Sequence, residues 1–128
     1  MQRSKPRPIR QEDREQTALV SWYRLQYPRG PLLVMIPNGV RLSKAQAGKA
    51  KGMGMTAGVP DLALLAASGG HHGLFIEMKA RSPRTGKIGS LSADQRSVHA
   101  VLEKRGYKVV TPVGWQEAAE AIKAYLAS

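Results

Sequence analysis

Apolar and polar positions alternate along this chain with two distinct periods. From Gln11 to Gln26 the residues Leu19, Trp22, Tyr23 and Gln26 fall at spacings of three and four, and Pro28 closes the segment; this predicts a helix. "LLVMI" at 32–36 predicts a short buried strand, and "PNG" at 37–39 a turn. "SKAQAGKAKGMGM" at 43–55 has the composition of a short helix weakened by glycines. "PDLALLAA" at 60–67 and "GLFIEMKA" at 73–80 predict two strands, joined by the glycine-rich "SGGHHG" of a hairpin turn. "RSPRTGKIGS" at 81–90 is a loop. Ser92 to Arg105 predicts a helix capped by Gly106, "YKVVT" at 107–111 a strand, and "GWQEAAEAIKAYL" at 114–126 an amphipathic closing helix. The order is that of a mixed α/β domain, a short central sheet with helices on both faces.

Length and charge narrow this picture. The 128 residues suit one domain with one core. Residues 1–10, rich in Arg, Lys and Pro, read as a flexible basic arm, with the folded domain over 11–128. The absence of cysteine excludes disulfides, thiolate metal sites and cysteine nucleophiles. No apolar run is long enough to span a bilayer, and "MQRSKPRPIRQEDRE" is not a secretory signal. The expected setting is therefore a soluble, cytoplasmic protein. A net charge of +11 makes a polyanion the natural partner, nucleic acid above a membrane surface. The cations cluster in the 41–51 segment (Arg41, Lys44, Lys49, Lys51), in the 81–90 loop (Arg81, Arg84, Lys87) and in the N-terminal arm.

One strand carries unusual chemistry. In "FIEMKA" Glu77 and Lys79 lie two apart, hence on one face of a strand that otherwise reads as core. Asp61 opens the preceding strand. If the two strands pair, two carboxylates and an ammonium converge. Adjacent buried carboxylates need a compensating cation, and Mg²⁺ or Mn²⁺ with oxygen ligands would supply it. The alternative is an edge strand with a Glu–Lys ion pair and Asp61 as a turn residue. Other positions read as structure: His71 and His72 as a solvated turn, His99 as a packed histidine, and Trp22 and Trp115 as core. Asn38-Gly39 reads as a turn, or else as backbone amides presented to phosphate.

Five ordered segments extend the pattern: "IPNGVR" at 36–41, "GVPDLALL" at 58–65, "HGLFIEMKA" at 72–80, "LSADQ" at 91–95 and "RGYKVVTPVGWQEAAEAIKAYL" at 105–126. Together they closely resemble the virus-type replication-repair nuclease (VRR-NUC) family of the PD-(D/E)xK superfamily, from about Glu12 to Leu126, in the stand-alone form found in phages and prophages. The resemblance implies a restriction-endonuclease-like core. It implies Asp61 and Glu77 as metal ligands, the Met78 carbonyl completing the shell, Lys79 as the catalytic lysine and Gln95 as the glutamine on the next helix. Ser92 and Gln95 also have the spacing of a capping box, which is a structural alternative for Gln95. Glu12, in an E-x-x-x-Q pattern with Gln16, matches the family's first-helix acid. Many relatives carry His at the position of Asp13, and Glu15 is a second candidate for that acid; Glu12 keeps the family's distance to Gln16 and Trp22. The implied activity is metal-dependent endonucleolytic cleavage of DNA, with branched substrates, DNA repair and a homodimer similar to Holliday-junction resolvases. Two other readings remain: a non-catalytic basic nucleic-acid-binding module, and an end-dependent exonuclease on the same core.

Overall fold

The structure, a computed structural model, describes residues 10–37 and 42–128. The basic arm up to residue 9, the Asn38-Gly39 turn and Arg41 lie outside the described residues. Along the chain run α1 (Gln11–Gln26), β1 (Leu33–Met35), α2 (Lys44–Gly52), β2 (Leu62–Leu64), β3 (Leu74–Ile76), α3 (Ala93–Lys104), β4 (Lys108–Val110) and α4 (Trp115–Leu126). No described helix is long and apolar enough to cross a membrane.

The four strands form one mixed sheet in chain order, β1-β2-β3-β4. β1 and β2 are antiparallel, as are β2 and β3, whereas β3 and β4 are parallel. A parallel neighbour needs a crossover, which α3 provides. The β2–β3 connection closes at Ser68–His71, where each residue's N–H meets the other's carbonyl. Gly69 and Gly70 both have positive φ there, the requirement of a tight hairpin turn that glycine meets without steric cost.

Alternation along β3 separates two faces. Leu74, Ile76 and Met78 join Leu62 and Leu64 in a core closed by Leu19 and Tyr23 of α1 and by Ala118, Ala119, Ile122 and Tyr125 of α4. Small alanines on α4 let it approach closely. Both core tyrosines satisfy their hydroxyls, Tyr23 on the Pro31 carbonyl and Tyr125 on the Ala66 carbonyl, each at 2.6 Å. Trp22 and Trp115 pack, partly buried, against this core. The opposite face carries Phe75, Glu77 and Lys79 and is covered by α3, whose buried residue is His99.

Two expectations change. "LLVMI" is not a buried strand: β1 is the sheet edge, and Leu32 and Met35 are largely exposed because only one neighbour covers them. The strands at 60–67 and 73–80 shorten to three ladder residues each, with Glu77 and Lys79 beyond the end of β3. α2 forms despite its glycines, held by a capping box between Ser43 and Gln46, yet buries no side chain.

Candidate active site

The end of the β2–β3 ladder makes the site. The register pairs Leu62 with Ile76, so its extension sets Asp61 opposite Glu77 and Pro60 opposite Met78. The backbone groups of Glu77 and Lys79 face β4: their N–H groups donate to Val110 and Pro112 carbonyls, both at 2.9 Å. Those of Met78 therefore face β2. Proline has no N–H, so Pro60 cannot donate to the Met78 carbonyl, and the ladder must stop. The Met78 N–H donates instead to Asp61 Oδ2, at 2.7 Å. The chain thus forks, with Asp61 at the crotch and Glu77 beside it. The segment before Asp61 is pinned as well, since Gly58 (φ +91°) lies so close to the Asp94–Gln95 peptide that a Cβ would stand 2.4 Å from the Asp94 carbonyl.

Electrostatics mark the same spot. Glu77, only 4% exposed, has its carboxyl pushed up to about 8. Burial is the largest cause. The charge of Asp61 and a side-chain hydrogen bond to it add to the rise, Lys79 opposes it, and Glu12 contributes a further push. In the cation-free protein, then, the Glu77 carboxyl keeps its proton at neutral pH, hydrogen-bonded to Asp61. Lys79 is 8% exposed and places Nζ 3.4 Å from the Ser90 carbonyl. It forms no ion pair with Glu77, which meets His99 instead: Nε2 to Oε1, 3.2 Å. Burial holds the His99 ring below its ordinary pKa; Glu103 and Asp61 oppose that shift and Lys79 adds to it.

The first-helix acids separate clearly. Glu15 Oε2 accepts the Trp115 N–H at 2.7 Å and so caps α4. Glu12 lies in the first turn of α1, near enough for its charge to act on Glu77, and lines a surface cleft of about 350 Å³ with Arg10, Arg81, Ser82 and Lys87. Arg81 and Lys87 come from a small hairpin, in which Arg81 bridges Ile88 and the Ser82 N–H meets the Lys87 carbonyl. Arg84 is exposed at its turn, and Lys44, Lys49 and Lys51 are exposed on α2, away from the cleft lining.

Gln95 occupies its capping box: its Oε1 accepts the Ser92 N–H at 2.9 Å, and Ser92 Oγ accepts the Gln95 N–H at 3.1 Å. That geometry accounts for the residue structurally. The turn histidines pack on rings, His72 against Tyr107 and His71 near Tyr125. His99 is the site neighbour that periodicity missed. It sits one helical turn after Gln95, and only the packing of α3 against β4, the neighbour of β3, brings it to Glu77. Among the described residues no three His, Asp or Glu side chains are gathered closely enough to hold a metal alone. A divalent ion here would draw on Asp61, Glu77, the Met78 carbonyl, water and phosphate, the hard oxygen set that suits Mg²⁺.

A forked sheet with paired carboxylates and a lysine two residues on, backed by helices on both faces, defines a PD-(D/E)xK-type nuclease core. The VRR-NUC domain model matches residues 10–112, and the chain belongs to the VRR-NUC family. A solved structure described as a VRR-NUC domain protein is similar at a TM-score of 0.72 and 26% identity, over 94% of this chain and 91% of that one. No curated protein matches the sequence.

Proposed function

We propose that the chain is a divalent-metal-dependent deoxyribonuclease, an endonuclease acting on branched DNA in the manner of a Holliday-junction resolvase. The observation that carries this is the Asp61–Glu77 pair at the fork, where crowding and burial hold Glu77 protonated and a cation could take the place of that proton. Asp61, Glu77 and the Met78 carbonyl would hold Mg²⁺ or Mn²⁺, with Glu12 nearby. The ion supplies positive charge at the phosphodiester and makes water more acidic. Lys79, buried and on the same face as Glu77, orients the attacking water and offsets charge developing on the phosphoryl oxygens. Water adds to phosphorus as the bond to the leaving oxygen breaks, which leaves one phosphate end and one hydroxyl end. Gln95 would help Lys79 position that water through whatever capacity its capping role leaves.

Arg81, Arg84 and Lys87 on the hairpin grip the flanking phosphates, with Lys44, Lys49, Lys51 and Arg41 as a second basic surface. A junction with twofold symmetry needs two nicks, so the active form is a homodimer. The exposed Met53 beside α2, 78% accessible, together with Met55 is the apolar surface proposed for that contact. The proposed setting is the cytoplasm of a bacterial or phage-infected cell, in DNA repair. A cleavage panel with Mg²⁺ and Mn²⁺ on duplex, flap, splayed-arm and four-way DNA tests the activity, and circular substrate separates it from an exonuclease. Sedimentation equilibrium tests assembly: a 13.9 kDa species with and without junction DNA would remove the resolvase reading.

A further inference from the structure

We infer that His99 is a positioning residue for the acidic pair: its Nε2 holds one oxygen of Glu77 so that the other stays turned toward Asp61. This rests on the reading of the site as a divalent-metal centre.

The contact is built rather than incidental. Nε2 and Oε1 are 3.2 Å apart, with the two side chains 7% and 6% exposed, so water does not compete for either group. The terminal torsion of a glutamate is soft and broad. Once ionised, the Glu77 carboxylate is repelled by Asp61, and nothing in its own backbone prevents it from turning away. Lys79 does not hold it, because its ammonium lies against the Ser90 carbonyl. The restraint comes from α3. That helix is fixed at its start by the Ser92–Gln95 capping box and by the close approach of Gly58. Its second turn then delivers the imidazole to Oε1. In the tautomer that carries its N–H on Nε2, that group donates to Oε1 and leaves Oε2 free to serve as a ligand beside Asp61. A carboxylate that binds a metal commonly needs such an outer partner to keep its orientation.

The test is calorimetric titration of the DNA-free protein with Mn²⁺ at one fixed pH, with melting in EDTA to establish the folded fraction. His99→Gln, whose amide nitrogen reaches about as far as Nε2, should bind within a few-fold of wild type. His99→Asn, whose amide stops short of Glu77, should bind roughly 10–100-fold more weakly. His99→Leu should behave like His99→Asn. In cleavage assays the His99→Asn enzyme should need more Mn²⁺ for half-activation yet approach wild-type kcat at saturation. Equal Mn²⁺ affinity for the Asn and Gln variants and wild type would overturn the inference and leave the metal site standing. Failure of the wild-type protein to bind Mn²⁺ would overturn the metal reading and the inference with it.

Discussion

The Glu15 carboxylate accepts the backbone N–H of Trp115 at 2.7 Å, across a hundred residues of sequence. The bond ties the second turn of α1 to the start of α4, whose N-cap, Gly114, has no side chain to do the work. Glu15 therefore serves the fold, while Glu12, one helical turn earlier, lines a cleft with Arg81 and Lys87, and its charge reaches Glu77. Glu15→Ala should lower stability by about 1–2 kcal/mol, the usual cost of losing a charged cap, and leave cleavage per folded molecule near wild type. Glu12→Gln should do the reverse, melting normally and losing at least roughly tenfold in cleavage, each tenfold being about 1.4 kcal/mol of barrier. Urea unfolding beside a cleavage assay on both variants distinguishes the two roles.

That pair also shows what could be read from the chain alone. Helices α1, α3 and α4 were legible to within about a residue, because apolar spacing and flanking Pro, Ser and Gly mark their ends. The acids proposed for the site were legible only as residue types at a spacing. Glu12 and Glu15, however, differ only in what they meet in space, and no local pattern encodes Trp115. The strands were over-long in the sequence reading for a related reason. An apolar run shows that residues are covered, but not that the sheet forks at Pro60 and Asp61 while β3 runs on beside β4. The edge position of β1 was hidden in the same way, since its apolar run looks like that of a central strand.

The fork itself constrains how the carboxylates can be tested. Asp61 caps the Met78 N–H as well as facing Glu77, so Asp61→Ala strands a backbone donor. Asp61→Asn keeps an oxygen for that N–H and removes the charge. Asp61→Asn and Glu77→Gln should each abolish cleavage by at least about a hundredfold, with cation-free DNA binding kept in both, since a protonated Glu77 has no charge to lose. Band-shift and cleavage assays on the same preparations check this. Wild-type rates in Asp61→Asn would contradict the assignment.

Gly58 holds the arm of the fork that precedes Asp61. Its φ of +91° disfavours any side chain, and a Cβ would overlap the Asp94 carbonyl at 2.4 Å. That neighbour is backbone at the start of α3 and has no easy way to yield. Gly58→Ala should cost at least about 2 kcal/mol, combining a left-handed penalty with steric overlap. It should also reduce cleavage beyond the lost folded fraction, because it separates α3 from Asp61. Chemical denaturation and rate measurements on the folded protein give both numbers.

The raised Glu77 makes the cation-free protein sensitive to pH. Its carboxyl titrates near 4.5 when unfolded and at about 8 in the fold, so between those values the native state holds the extra proton. The resulting stabilisation is complete below the lower value and is lost as pH rises through the upper one. His99, lowered by burial, acts oppositely below about 6.5, where the unfolded state takes up its proton. The clean window is thus about pH 6.5 to 8. There, in EDTA, stability should fall by up to about 1.4 kcal/mol per pH unit, and Glu77→Gln should flatten the slope. Added Mn²⁺ should stabilise wild type more as pH rises, since it replaces that proton. Melting curves across the window would contradict the raised Glu77 if wild type held level in EDTA.

The hairpin after Lys79 is ordered by its own backbone: Ser82 pairs with Lys87 and Gly86 donates back to the Ser82 carbonyl. Arg81 is partly committed to it, with Nη1 3.2 Å from the Gly86 carbonyl, whereas Arg84 and Lys87 stand exposed. A rigid ribbon presents cations at fixed positions and loses little entropy on binding. Each phosphate it neutralises releases condensed counterions, and the log–log salt slope on duplex falls by about 0.9 per contact removed. Replacing Arg81, Arg84 and Lys87 together by Ala should therefore shallow the slope by roughly 2–3. Lys44→Ala with Lys49→Ala and Lys51→Ala serves as the comparison, because α2 carries equal charge away from the cleft. If the hairpin is the grip beside the active site, its variant should lose cleavage at low salt as well as affinity. The α2 variant should lose affinity alone, and a slope unchanged by the hairpin variant would place the grip elsewhere.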